Sequence, residues 1–462
     1  MRDISDDLVA FVVGTGYEDL PAEIVHEAKR CLLDAVGCAI AGIATDKGKI
    51  AVSLARRLGG PAEATVLGFG NRVSAPNAAA ANGELINALD YDDIPHIHPF
   101  SVSPPLAVAE SVGASGKDLI LGIVLAREVC RRFTLALSNM LNKLTTEAKT
   151  PDVFGNSNEC IVGGTAGAAK ILRLEKERMA NALGIAAYLC PLPVCRNWEE
   201  TVPKSMIKYV PVSWVCQGSV TAALLAEEGY TGNPRAFDGE YGFWRFYGAE
   251  RWEPEIVVDK LGKQWRFMEM SYKTYPCCSF FATQLDAFAD IIEKNGLQPD
   301  DIESVDSYAI PFVASPVPYD VKTQVDVQFS LPFVLAATAH RVRVGADWQE
   351  HDTIRDPRIR AFMKKVKMHV DPHLVEMKRK NLRTWPARVE VNAKGATYTA
   401  EALHMRGTNL TDRRLSDDEL VEKFRHNASR QLTPARIDEA IERLWNAEKA
   451  ATVSELTGTV AL

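Results

Sequence analysis

The sequence predicts a mainly α-helical chain with a smaller α+β domain set into it. Three observations carry this. Up to about residue 240, apolar residues recur three and four positions apart in run after run, which places them on one helix face. Near Phe267 the texture changes, and residues 302–310 and 388–402 read as strands. The length, 462 residues, exceeds what one core supports. The expected division is a helical domain over 1–267, an α+β domain over 268–404, and the helical domain again over 405–462.

Taken in order, Ser5 caps a first helix with Leu8, Phe11 and Val12 inward. Pro21 opens a second, through Ile24, Ala28, Leu32, Leu33 and Val36 to Gly42, with proline first and glycine past the last turn. A helix covers 47–58 and a short strand 63–68. Another helix runs from Ala78 through Leu85, Ile86 and Leu89, and residues 105–111 and 119–137 supply two more. Gly163, Gly164 and Gly167 among alanines predict a buried helix that lets neighbours approach closely. A phosphate loop is not indicated, because no glycine-rich turn with a suitable lysine follows a strand there. Helices over 178–189 and 210–228 complete this part. Beyond it, strands at 268–275 and 302–310 flank a helix over 282–295, residues 327–340 and 356–367 read as helical, and 388–402 is a hairpin turning at Lys394-Gly395. Helices over 417–426 and 434–445 precede a loose tail, 451–462.

Lys and Arg total 53 against 60 Asp and Glu, a net charge of −7. No basic block offsets it, which excludes a general nucleic-acid binder. An anionic substrate therefore needs a local cluster of Lys, Arg or His. No apolar run reaches membrane-spanning length; 106–126 is broken by Glu110, Lys117 and Asp118. The opening MRDISDDLVAF is acidic, without a secretion signal's basic start and apolar core. The nine cysteines include no Cys-x-x-Cys pair. Both features point to the cytoplasm, with cysteines serving as small buried apolar residues.

Chemistry concentrates in residues 80–105, AANGELINALDYDDIPHIHPFSVSPP. Asp90, Asp92 and Asp93 fall at a helix C-terminus, where negative charge opposes the dipole. His96 and His98 follow at alternate positions between Pro95 and Pro99, which fix the backbone and block both helix and central strand. Carboxylates and imidazoles this close shift each other's pKa and exchange protons. An Asp-rich turn alone reads as solvated surface; the rigid prolines and flanking apolar helices favour a site. The loop lacks the helical His-x-x-x-His spacing of a metal site. Lys204 and Lys208 precede a small-residue helix, where a desolvated lysine binds a carboxylate or acts as a base. Lys273, Tyr275, Cys277 and Cys278 lie where a strand passes into a helix, a common place for ligand groups.

The pattern A-x-x-N-G…A-L-D-Y-D-D…H-P resembles the MmgE/PrpD family, which includes 2-methylcitrate dehydratase, cis-aconitate decarboxylase and iminodisuccinate epimerase. LLDAVGCAIAG (32–42), VGGTAGAAKILRL (162–174), KTYPCC (273–278) and QFSLPFVLAATA (328–339) are similar to family segments and stand in family order. The resemblance implies a helical domain, an α+β lid domain and commonly a homodimer. It implies proton removal beside a carboxylate of a small di- or tricarboxylic acid, with no cofactor or metal and no nucleic-acid or membrane partner. Carried over by motif, it implies Asp90, His98 and Lys208 as catalytic residues, with Lys204 the alternative to Lys208. The expected substrate-binding groups are Asp93, His96, Lys204, Lys273, Tyr275, Cys278 and Ser330. Ile94 stands where the family's decarboxylases carry threonine, and no histidine stands near Phe154-Gly155. These departures argue against cis-aconitate decarboxylation and point to an unusual substrate. The expected reaction is dehydration of the 2-methylcitrate type, with epimerisation of an amino- or imino-dicarboxylate, or decarboxylation, as alternatives. Outside catalysis, the alternative is a metabolite-binding protein.

Overall fold

Helices account for most of the first half of the chain, in the computed structural model that describes residues 3–137, 153–249, 251–314 and 320–461. They are α1 (Ser5–Gly14), α2 (Ala22–Gly42), α3 (Asp46–Leu58), α4 (Ala75–Asn87), α5 (His98–Ser111), α6 (Gly116–Ala136), α7 (Cys160–Ile171), α8 (Lys176–Leu189), α9 (Cys195–Glu200) and α10 (Val212–Glu227). Every residue of α5 from His98 to Glu110 is buried, so this helix sits inside the bundle rather than on its surface. Close packing depends on missing side chains. A Cβ on Gly42 would lie 2.2 Å from the Leu85 carbonyl oxygen of α4, and one on Gly167 would lie 2.5 Å from the Gly122 carbonyl oxygen of α6.

Two apolar cores form. The first gathers the helices above, continues to Tyr272, and takes in residues from Leu415 to Val460. Its late members include α13 (Asp417–Ala428), which packs on α2, and α14 (Pro434–Trp445). The second runs from Cys277 to Ala393. There α11 (Ala282–Lys294) packs on a four-stranded sheet and on α12 (Leu331–Ala339). The sheet strands are β5 (Ile302–Ala309), β6 (Val366–Val370), β7 (Ala387–Ala393) and β8 (Ala396–Ala402), in spatial order β6-β5-β7-β8. β5 pairs parallel with β6 and antiparallel with β7. The β7–β8 turn has positive φ at Lys394 and Gly395, the geometry of a two-residue hairpin. No helix among the described residues is long and apolar enough to cross a membrane.

Several local expectations need correction. Ser5 is the first helical residue rather than a cap; Asp238, from a distant loop, accepts from the amides of Ile4 (2.7 Å) and Ser5 (3.1 Å). The 63–68 strand shrinks to β1 (Ala64–Thr65), paired with β2 (Arg72–Val73). Residues 356–367 hold a helix only over Pro357–Met363, after which the Val-rich VKMHV joins the sheet as β6. The tail is not loose, because Val453, Leu456 and Val460 are buried in the first core. The strand expected at 268–275 is only β4 (Ser271–Tyr272), and it joins no part of the large sheet. Instead it pairs with β3 (Asp93–Ile94), in the Asp-rich loop after α4. That pairing delivers the Lys273 segment to the loop.

Candidate active site

Asp90 is the meeting point. It follows α4 with φ of 55°, a left-handed conformation that aspartate tolerates better than most residues. The turn is closed by its amide donating to the Asn87 carbonyl at 3.1 Å. Lys208 Nζ pairs with Asp90 Oδ1, and Lys273 Nζ pairs with Oδ2. Lys208 also donates to the Asn87 carbonyl (3.3 Å), and Lys273 to the carbonyls of Asp90 (2.9 Å) and Cys277 (3.1 Å). Tyr209 Oη donates to Asp90 Oδ1 at 3.1 Å. Three segments far apart in sequence thus converge on one carboxylate. Lys208 and His96 share its backbone strain, with φ of 57° and 64°, and such strain persists only where the surroundings enforce it.

Burial opposes ionisation of Asp90, yet Lys208, Lys273 and His96 hold its carboxyl well below the usual range. Asp90 is therefore a fixed anion. Burial outweighs Asp90 at Lys208 and lowers that lysine to about 8. At Lys273 burial also pulls downward, but Asp90 and Asp92 prevail and raise it.

Beside this cluster lies a cavity of about 920 Å³. Asp90, His96, Lys204, Tyr209 and Cys278 line it, as do Glu159, Glu199 and the aromatic rings of Phe280, Phe329 and Trp385. His96 Nδ1 lies 3.2 Å from Asp92, so a proton shared there leaves Nε2 with its lone pair, the tautomer of a general base. Lys204 Nζ sits 4.8 Å from the Trp198 ring centre and donates to the Glu199 carbonyl and, at 3.3 Å, to that of Trp198. Burial lowers its pKa. Burial also raises Glu199 to about 7 and pushes the Cys278 thiol up to about 12, so Cys278 is a neutral thiol and not a thiolate nucleophile.

His98 is placed elsewhere. It is the first residue of α5 with Pro99 after it, a position where proline is well tolerated; the two prolines did not block a helix. Its ring is fully buried, with Nδ1 3.2 Å from Asp93 and Nε2 3.4 Å from Asp34 of α2. Arg127 of α6 contacts both His98 Nδ1 (3.1 Å) and Asp93 (2.6 Å), and Lys423 of α13 pairs with Asp34 at 2.8 Å. Burial opposes it, but Arg127 and His98 hold the Asp93 carboxyl low. This network ties α2, α5, α6 and α13 together, and neither Asp93 nor His98 lines the cavity. Alternate positions explain the exchange: once His98 begins α5 facing inward, His96 takes the opposite side.

Two other expected binding groups have structural partners. Tyr275 Oη bonds Asp286 (3.1 Å) and its ring stacks on Trp348, while the Ser330 hydroxyl caps α12 by accepting from the Phe333 amide (3.4 Å). Neither lines the cavity. Lys204 and Lys208, posed in the sequence as alternatives, take separate places: Lys204 lines the cavity, and Lys208 holds Asp90. The sequence reading missed Asp92 as the partner of His96, Tyr209 on Asp90, and Glu159, whose carboxylate accepts from Tyr247 (2.6 Å) and Thr134 (2.7 Å). The Asp92-x-x-x-His96 spacing was the available signal for the first. Among the described residues, no three His, Cys, Asp or Glu side chains are arranged to hold a metal ion.

Residues 6–255 match the family model for the MmgE/PrpD N-terminal domain, and residues 275–447 match that for the MmgE/PrpD C-terminal domain. Named relatives include a cis-aconitate decarboxylase of Homo sapiens, 25% identical over 476 residues, covering 99% of this chain and 94% of the relative. A cis-aconitate decarboxylase of Mus musculus is 23% identical over 481 residues, covering 99% and 93%. One from Aspergillus terreus is 24% identical over 310 residues, covering 62% and 60%.

Proposed function

The chain belongs to the MmgE/PrpD family, and from that premise we propose a lyase-type enzyme that removes a proton beside a carboxylate of a di- or tricarboxylic acid. One observation carries the reading: an ionised Asp90, clamped by Lys208 and Lys273, shares a cavity wall with the Asp92-backed imidazole of His96. Lys204 binds a substrate carboxylate. His96 Nε2 takes the neighbouring proton, and Asp92 stabilises the imidazolium that forms. The resulting enolate-like anion is weakly basic only where fixed positive charge meets it in a dry site. Asp90 is held too acidic to donate a proton; its role is to keep two ammonium groups and His96 in place.

Dehydration, of the 2-methylcitrate type, completes the reaction. The imidazolium returns its proton to the β-hydroxyl, the C–O bond breaks, water leaves and a C=C bond remains. The names of the relatives favour a second reading, decarboxylation, in which no substrate proton is abstracted. His96 enters as the imidazolium with a proton taken from solvent, the bond to a carboxylate breaks, carbon dioxide leaves with the electron pair remaining on carbon, and the imidazolium protonates that carbon. Incubating purified protein with 2-methylcitrate and with cis-aconitate, with products followed by NMR, separates the two. Turnover of neither acid would exclude both reactions on these substrates; binding of carboxylic acids with no exchange of their α-hydrogens in deuterated water would replace the enzyme reading by a metabolite-binding one.

A further inference from the structure

The cavity is larger than a citrate-sized acid needs. Its volume of about 920 Å³ lies near the top of the roughly 300–1,000 Å³ range that holds drug-sized ligands. Its lining also changes character. Two residues beyond Cys278, Phe280 packs against Trp385 and Phe312, with ring centres 4.4 and 4.8 Å away. All three rings line the cavity and are half-buried. The wall is braced from behind. Lys378 is buried, donates to the carbonyls of Leu382 (2.5 Å) and Thr384 (2.7 Å), and places its ammonium 3.8 Å from the Trp385 ring centre. Held by these carbonyls and this aromatic face, buried Lys378 fixes the 382–385 loop that presents Trp385. Leu382, 46% exposed, stands on the same lining.

The lining is not apolar throughout: Arg383, next to Leu382 in the same loop, and His404 also stand on it. Arg131 and Arg196, elsewhere on the lining, are already matched by Glu269 (3.2 Å) and Glu200 (3.1 Å). We infer that the acid taken by this site carries an apolar appendage of at least ring size, seated on the wall of Phe280, Phe312 and Trp385 while its carboxylates face Lys204 and His96. The inference rests on the carboxylate-binding reading above and narrows its substrate class: a head with two or more carboxylates and an aryl or alkyl tail. Apolar area leaving water supplies the added affinity.

Calorimetric titration of the full chain with malonate, benzylmalonate and hexylmalonate tests this. The two substituted acids are expected to bind about 10-fold or more tightly than malonate, and their order separates a ring-shaped from a chain-shaped tail. Phe280→Ala and the more exposed Leu382→Ala should each shrink that gain and leave malonate affinity within about two-fold; if Phe280→Ala fails to fold, Leu382→Ala still decides. Malonate binding with no gain from either tail overturns the inference and leaves the carboxylate reading standing. A gain untouched by both substitutions overturns the placement of the tail. No binding of any of the three acids defeats the carboxylate reading, and this inference with it.

Discussion

Replacing Asp90 by asparagine keeps the shape of the side chain and removes its charge. In the native protein one buried carboxylate faces two buried ammonium groups, so Asp90→Asn strands both cations. Removing one partner of a buried pair costs about 3–5 kcal/mol, against roughly 5–15 kcal/mol for a whole fold. Proton release limits the loss. Lys208 already sits at about 8, so neutralising it at pH 7 costs only about 1.4 kcal/mol. Without Asp90 its ammonium is weaker still, and the lysine is neutral at pH 7. The unfolded chain keeps that proton up to the ordinary 10.5. The folded variant therefore binds fewer protons than the unfolded one, and its stability rises with pH. In the native protein the same rise begins only above about 8. Between pH 7 and 8 the variant recovers about 1.4 kcal/mol relative to the native protein, and the two then run parallel. Urea denaturation followed by tryptophan fluorescence should give a deficit of about 3 kcal/mol at pH 7 and about 1 kcal/mol less at pH 8.5. A deficit below about 1 kcal/mol at pH 7, or one that grows with pH, would refute the reasoning.

His98→Ala should lower stability by about 2–4 kcal/mol, because Asp34 and Asp93 lose a shared buried partner; an unchanged denaturation curve with turnover lost would return His98 to the chemistry. Lys204→Met should weaken malonate binding about ten-fold in titration and lower the melting temperature modestly, because the carbonyls of Trp198 and Glu199 lose a donor; unchanged malonate affinity would make Lys204 structural only. Burial raises Glu199 to about 7, so it is neutral below that pH and repels a bound carboxylate above it. Malonate affinity should therefore fall between pH 6 and 8 in the native protein and flatten in Glu199→Gln; identical profiles would rule this residue out.

Helices, hairpin and the cluster on Asp90 were legible for physical reasons. Three- and four-residue spacing marks a helix whatever it packs on, and Lys394-Gly395 supplies the positive φ a hairpin turn needs. Asp90, Lys208 and Lys273 stood out as charges beside apolar helices. What failed was direction. His96 and His98 are chemically alike, and only the start of α5 decides which one faces the cavity and which the core. Residues 268–275 read as a strand of the α+β domain, but the partner of β4 is β3, 177 positions or more earlier in register. Tyr275 and Ser330 carry groups suited to a ligand, and tertiary partners claimed them first. The return of 405–462 to the first helical domain was expected from its helices, but the pair that joins them, Asp34 with Lys423, meets only after folding and left no local pattern.

The most direct measurement follows the hydrogens next to the carboxylates of 2-methylcitrate and benzylmalonate by NMR in deuterated water. The native protein should replace them with deuterium. His96→Ala should slow that replacement by about 100-fold or more, in a protein that still folds cooperatively but melts earlier because buried Asp92 loses its imidazole partner. Replacement at the native rate in His96→Ala would contradict the account.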